Sequence, residues 1–241
     1  MSYIMPPAPN GSYSSALDQV VASATAAYLV QYETAESEFA MTRGTATVTM
    51  TSANPGVVTW TAHGMLAGDA VIFATTGALP TNIVAGTVYW LRTVAANTFT
   101  LSTTAALAAD IDMSAGAQSG VQTATSVTRM TVSEGGLYAV NLSIIADSSG
   151  NHTMSAWLGL NEVAFNGTSI ARSTTTLGLS AAVESVISVL YNLVLVAGDT
   201  LRIYYCGSNT NCKLNATAVD VNPTRPACPS VIISVVKISS I

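Results

Sequence analysis

The 241-residue sequence predicts an all-β protein, a sandwich or barrel of short antiparallel strands. Three observations predict it. Apolar residues recur with period two in segment after segment, Gly, Pro, Asn and Asp turns stand between those segments, and no long amphipathic helical pattern occurs.

The elements follow in chain order. Met1 to about Ser15 holds Pro6, Pro7, Pro9 and Gly11 among Tyr3, Ile4 and Tyr13, a composition that reads as an extended arm. Such an arm is either a frayed terminus or an anchor that orders on a partner, and Tyr3, Ile4 and Tyr13 are its candidate anchoring residues. Ala16–Ala27 is Ala-rich and predicts a short helix capped by Ser15, after which Tyr28, Val30 and Tyr32 alternate as a strand. In Thr45–Thr51 every even position is apolar and every odd one is Thr, so one face is buried and the other wet. The same alternation marks Tyr138 to Ile144, Ile187 to Leu195, Leu201 to Tyr205 and Val231 to Val235. Glu134-Gly135-Gly136, Ser148 to Asn151, Ala197-Gly198-Asp199 and Asn222-Pro223 supply the turns.

The segment Val186–Val196 stands apart, because its second face carries Val186, Leu190, Val194 and Val196 beside Ser188 and Asn192. That face needs a cover, either another layer of the same chain or an identical subunit. Composition points the same way. Only 9% of residues are charged against 49% hydrophobic, where an average soluble chain carries about 25% charged. Disorder is excluded by the same arithmetic. With 8 Lys+Arg against 13 Asp+Glu the chain has little with which to neutralise phosphates, so nucleic acid is not an expected partner. No apolar run reaches the roughly 20 residues of a membrane span, and the first residues lack the basic and apolar regions of a secretory signal.

Site chemistry is sparse. Cys206, Cys212 and Cys228 form no disulfide framework; Cys206 and Cys212 flank a turn that could bring them together, a geometry the sequence leaves open. His63 and His152 are far in sequence from any Cys pair, so no zinc site is expected. Asp110 and Asp112 read as turn residues, not cation ligands, and no Gly-x-Ser-x-Gly elbow occurs. No catalytic, cofactor-binding or metal-binding residue is expected, and the chain is read as a non-enzyme.

Two stretches carry a family resemblance. Thr59-Trp60-Thr61-Ala62-His63-Gly64-Met65-Leu66-Ala67-Gly68-Asp69, with Val71 to Pro80, Gly86 to Arg92 and Asn97 to Ser102, resembles a small β-barrel module of phage tail and virion proteins. That module is named for its similarity to the first catalytic-cysteine half-domain of ubiquitin-activating enzymes. The stretch has no cysteine, so ubiquitin chemistry is not implied, and His63 is read as a turn or packing residue. The second stretch comprises Gly135 to Ser143, Ala156 to Asn161, Leu195 to Ile203 and Arg225 to Val235. It resembles the trimeric jelly roll of the tumour-necrosis-factor and complement-head type as used in phage structural proteins.

These resemblances imply an antiparallel jelly-roll β-sandwich with a small inserted β-barrel. They divide the chain into an arm (1–15), a first part of the jelly roll (16–52), the inserted barrel (53–120) and the rest of the jelly roll (121–241). They imply a virion structural protein assembled in the host bacterial cytoplasm, a homotrimer that decorates or cements the head by contact with the major capsid protein or another virion protein. The alternative is a tail-fibre or tail-tip head that binds a bacterial surface glycan through Trp60, Trp90 or Trp157, although such tryptophans belong more often to the core.

Overall fold

The computed structural model describes residues 10–163, 174–181, 183–221 and 224–240. The chain opens with β1 (Asn10–Ser15), two short strands β2 (Gln19–Val20) and β3 (Tyr28–Leu29), and β4 (Thr34–Ser37). Next come β5 (Met41–Met50), β6 (Val57–Thr59), β7 (Ala70–Thr75), β8 (Tyr89–Val94), β9 (Thr98–Ser102) and β10 (Gln122–Val132). The last part holds β11 (Gly136–Ser148), β12 (His152–Leu160), β13 (Thr175–Leu179), β14 (Ser185–Leu195), β15 (Thr200–Gly207), β16 (Cys212–Leu214), β17 (Asp220–Val221), β18 (Thr224–Arg225) and β19 (Val231–Ser239).

The fold is all-β, and among the described residues there is no helix, hence none long and apolar enough to cross a membrane. The helix expected over Ala16–Ala27 is therefore corrected. Gln19 is buried, its carboxamide donating to the Gln31 carbonyl at 2.9 Å and accepting from the Gln31 amide at 2.8 Å, while β2 pairs with β16. Long-range pairing of this kind outweighs the modest helix preference of an Ala-rich window.

Two sheets make the sandwich. One runs β2-β16-β11-β19-β1-β4, with β14 also paired to β11; the other runs β13-β12-β15-β10-β5 and continues through β6, β9 and β8 to β7. Because β7 pairs back onto β10, from Gln122↔Thr75 to Ser126↔Val71, the six strands β10-β5-β6-β9-β8-β7 close into a barrel. Closure removes the free edges that six short strands would otherwise expose.

Strands β5 and β10 belong to both bodies. Met41, Thr42 and Arg43 pair with Val132, Thr131 and Met130 inside the jelly roll, whereas Thr45 to Val48 pair with Thr125 to Gln122 inside the barrel. Between these two runs β10 spends Ser126-Val127-Thr128-Arg129 opposite Gly44 alone, a bulge that redirects the strand from one body to the other. The barrel thus draws strand residues from 45 to 126, reaching past the 53–120 read from sequence.

Each body has its own core. Tyr138, Val140, Leu142 and Ile144 on β11 meet Ile203 and Tyr205 on β15 and Ile233 on β19 inside the jelly roll. Val48, Val58, Phe73, Leu91, Phe99 and Leu101 fill the barrel, with Thr45, Thr47 and Thr49 turned to solvent as the period-two pattern requires. On β15 the run from Leu201 to Tyr205 is buried on both faces, since the barrel lies against the second one.

Candidate functional site

The uncovered face of the first sheet is the most unusual surface of the molecule. Along β14, Ile187 and Leu195 are buried in the core with Val189, Tyr191 and Leu193 packed against it, and the alternate positions point out: Val186 is 57% exposed, Leu190 60% and Val194 67%, with Val196 following at 60%. Register extends the surface sideways. Val186 lies opposite Ile145, Leu190 opposite Asn141 and Val194 opposite Leu137 on β11; beyond β11, Ala139 faces Val236 and Ser143 faces Ile232 on β19. Ile232, Val236 and Ile238 are themselves exposed.

Few charges touch these three strands. Asp147 sits at the far end opposite Lys213, and Lys237 is turned to an ion pair with Glu134 at 2.9 Å. The result is a continuous surface of Val, Leu, Ile, Ala, Ser and Asn, larger in apolar content than a monomer's scattered exposed side chains. The alternation in Val186–Val196 read from sequence located it, and none of the described elements covers it.

A second site is buried. Asp69 and Arg202 are 0% and 1% exposed, and the pair is bidentate: Nε donates to Oδ1 at 3.0 Å and Nη2 to Oδ2 at 2.7 Å. Thr128 Oγ1 donates to Oδ1 at 3.0 Å and the Leu66 amide to Oδ2 at 2.7 Å, so the carboxylate accepts four bonds. Burial alone would lower the Arg202 guanidinium, but the Asp69 charge and hydrogen bonds raise it above its ordinary value. Arg129 adds a parallel tie, donating from Nη1 to the His63 carbonyl at 2.7 Å. Two guanidiniums on β15 and β10 thereby hold the barrel's 63–69 turn against the jelly roll. Sequence reasoning read Ala67-Gly68-Asp69 only as a turn; the signal available was the rarity of arginine in a chain with so few charges.

The remaining sequence-derived candidates separate clearly. Tyr13 is not on an exposed arm: it lies in β1, fully buried, its ring packed on Tyr32 at 5.5 Å and its hydroxyl bonded to the Met41 carbonyl. An exposed anchoring role is lost to that core position, because β1 pairs with both β19 and β4. Tyr3 and Ile4 lie outside the described residues. Trp60 is buried in the barrel core, Trp90 is half-buried beside Val88 and Ala70, and Trp157 is half-buried and stacked on Tyr204 at 5.6 Å. Asp110 accepts from Arg92 and Thr100, and Asp112 accepts from the Ser114 amide at 2.8 Å, as turn residues do. Cys206, Cys212 and Cys228 are all free thiols.

No protein-family model and no curated protein matches this chain. Among solved structures, the chain is similar to the S. frugiperda Eiger TNF at 13% identity, covering 83% of this chain and 95% of that one with a TM-score of 0.31. It is similar to murine APRIL at pH 5.0 at 10% identity, covering 70% and 99% with a TM-score of 0.29. For rabbit GITRL the identity is 12%, the coverage 48% and 74%, and the TM-score 0.25. Likenesses of this size add nothing to the strand order and pairing given above.

Proposed function

We propose that this chain is a non-enzymatic, homotrimeric structural protein of a bacteriophage particle, a decoration or cement protein of the head. The observation that carries self-association is the uncovered face of β14, β11 and β19, on which Val186, Leu190 and Val194 stand out in solvent while the opposite face already fills a core. An identical copy is the partner whose surface is guaranteed to be equally apolar and equally uncharged. The number three and the virion setting are supported by the sequence resemblance of the 53–120 and 121–241 stretches to phage modules. A structural role is supported by what holds three of the acidic groups: Asp69 is bonded to Arg202, Asp110 to Arg92 and Asp199 to Asn161.

In this reading residues before Asn10, including Tyr3 and Ile4, contact the major capsid protein or another shell protein on a virion assembled in the bacterial cytoplasm. The test has two arms. Native mass measurement of the full chain is expected to give a trimer; a stable monomer at micromolar concentration would refute the assembly. Imaging of particles carrying a labelled copy is expected to place the label on the head. Label on the tail would instead support the second reading, an adhesin head for a bacterial surface glycan, which the half-buried Trp90 and Trp157 favour.

A further inference from the structure

His63 occupies the turn that joins the two bodies, and its hydrogen bonds require a neutral ring. The Met65 amide donates to Nδ1 at 3.0 Å, so the ring proton resides on Nε2, which donates to the Ala95 carbonyl at 2.8 Å. The ring is 3% exposed and stands edge-on to Phe99, centroids 5.3 Å apart. Its own backbone carbonyl is the acceptor for Arg129, and the next carbonyl, that of Gly64, faces Arg202 Nη2 at 3.5 Å.

The charges around the ring are named readily. Arg129 approaches from β10, Arg202 from β15 and Asp69 from the turn just before β7, with Asp69 held by Arg202; Arg92 shares a groove with His63 and is paired to Asp110. A second proton would therefore turn Nδ1 into a donor facing the Met65 N–H and place a third cation beside the Arg129 and Arg202 guanidiniums, where the Asp69 carboxylate is already bonded to Arg202. Burial pushes the imidazole below its ordinary value, opposed by its bond to Ala95 and reinforced by Arg129.

We propose that the His63 turn is an acid-sensitive latch: protonation breaks the Met65–His63 bond, opens residues 61–68 and loosens the barrel from the jelly roll while both cores stay folded. The neutral ring favours the closed turn, so the latch is fully closed above the unperturbed histidine value of about 6.5 and opens as pH falls below it.

Hydrogen exchange of the full chain, corrected for the intrinsic pH dependence of exchange, tests this between about pH 7.5 and about pH 5. Amides of residues 61–68 are expected to lose about tenfold in protection while those of β11 and β19 hold. His63→Gln, which does not titrate, is expected to abolish the pH dependence. Protection that stays constant, or that falls equally in the variant, would overturn the latch. Should the variant not fold, NMR titration of the wild-type protein decides: the His63 midpoint is expected below the unperturbed histidine value of about 6.5 and shared by the 61–68 amides. A His63 midpoint at or above the unperturbed value, or amides that move only in the carboxylate range near about pH 4, would refute it.

Discussion

Replacing Leu190 by Asp addresses the proposed assembly most directly. Leu190 is 60% exposed and sits mid-strand on β14 opposite Asn141, so in an isolated chain the substitution removes little that is buried. Its cost to the monomer is within about 1 kcal/mol. In a trimer the same position is covered. Fully burying a Leu contributes about 1.5–3 kcal/mol, of which the exposed share here leaves about 1–2 kcal/mol for the interface. An unpaired carboxylate in its place costs several kcal/mol more. Together the loss is about 4 kcal/mol or more per interface, which weakens association about a thousandfold.

Light scattering after size exclusion would read this as conversion of trimer to monomer at micromolar protein, with a cooperative unfolding transition retained. Val84→Asp, at a residue 62% exposed on the barrel, is the control and is expected to leave the trimer intact. A Leu190→Asp protein that remains trimeric with unaltered stability would show that the β14 face is not the contact surface.

Three further outcomes are expected. Asp69→Ala strands the buried Arg202 and should cost about 3–5 kcal/mol in chemical denaturation, whereas Asp69→Leu combined with Arg202→Met should recover part of that loss; additive single effects would show that the two side chains are not coupled. Thiol labelling of the native protein should modify the exposed Cys228 at once and the buried Cys212 only on unfolding, so three equally fast thiols would contradict the placement. Burial holds the Tyr13, Tyr32 and Tyr205 hydroxyls above their ordinary value, so stability they contribute is complete below about pH 10 and is lost as pH rises further. Ultraviolet difference titration should accordingly show these phenols ionising together with unfolding, and reversible titration of all nine tyrosines near about pH 10 in folded protein would refute it.

The two Ala-Gly-Asp turns show where sequence reading stops. Gly68 and Gly198 share the same backbone angle, φ 93°, and in each turn the aspartate accepts the amide three residues back, Leu66 at 2.7 Å and Val196 at 2.8 Å. Locally they are one motif, and the residues alone identify both as turns. Yet Asp199 ends near the surface on Asn161, whereas Asp69 ends buried on an arginine 133 positions away. Nothing within either turn encodes that difference, because it depends on where the barrel lands on β15.

Period-two alternation and turn residues by themselves determined the all-β class, the inward faces of β5, β11, β14 and β19, and the presence of a second apolar face on β14. Those properties are local, since successive strand side chains point to opposite sides whatever the strand pairs with. Only tertiary structure decided that Ala16–Ala27 forms no helix, that Tyr13 belongs to the core, that β5 and β10 serve two bodies, and that Arg202 meets Asp69. Each of those outcomes is set by a partner distant in sequence, and a strand's partner is chosen by the packing of the whole chain.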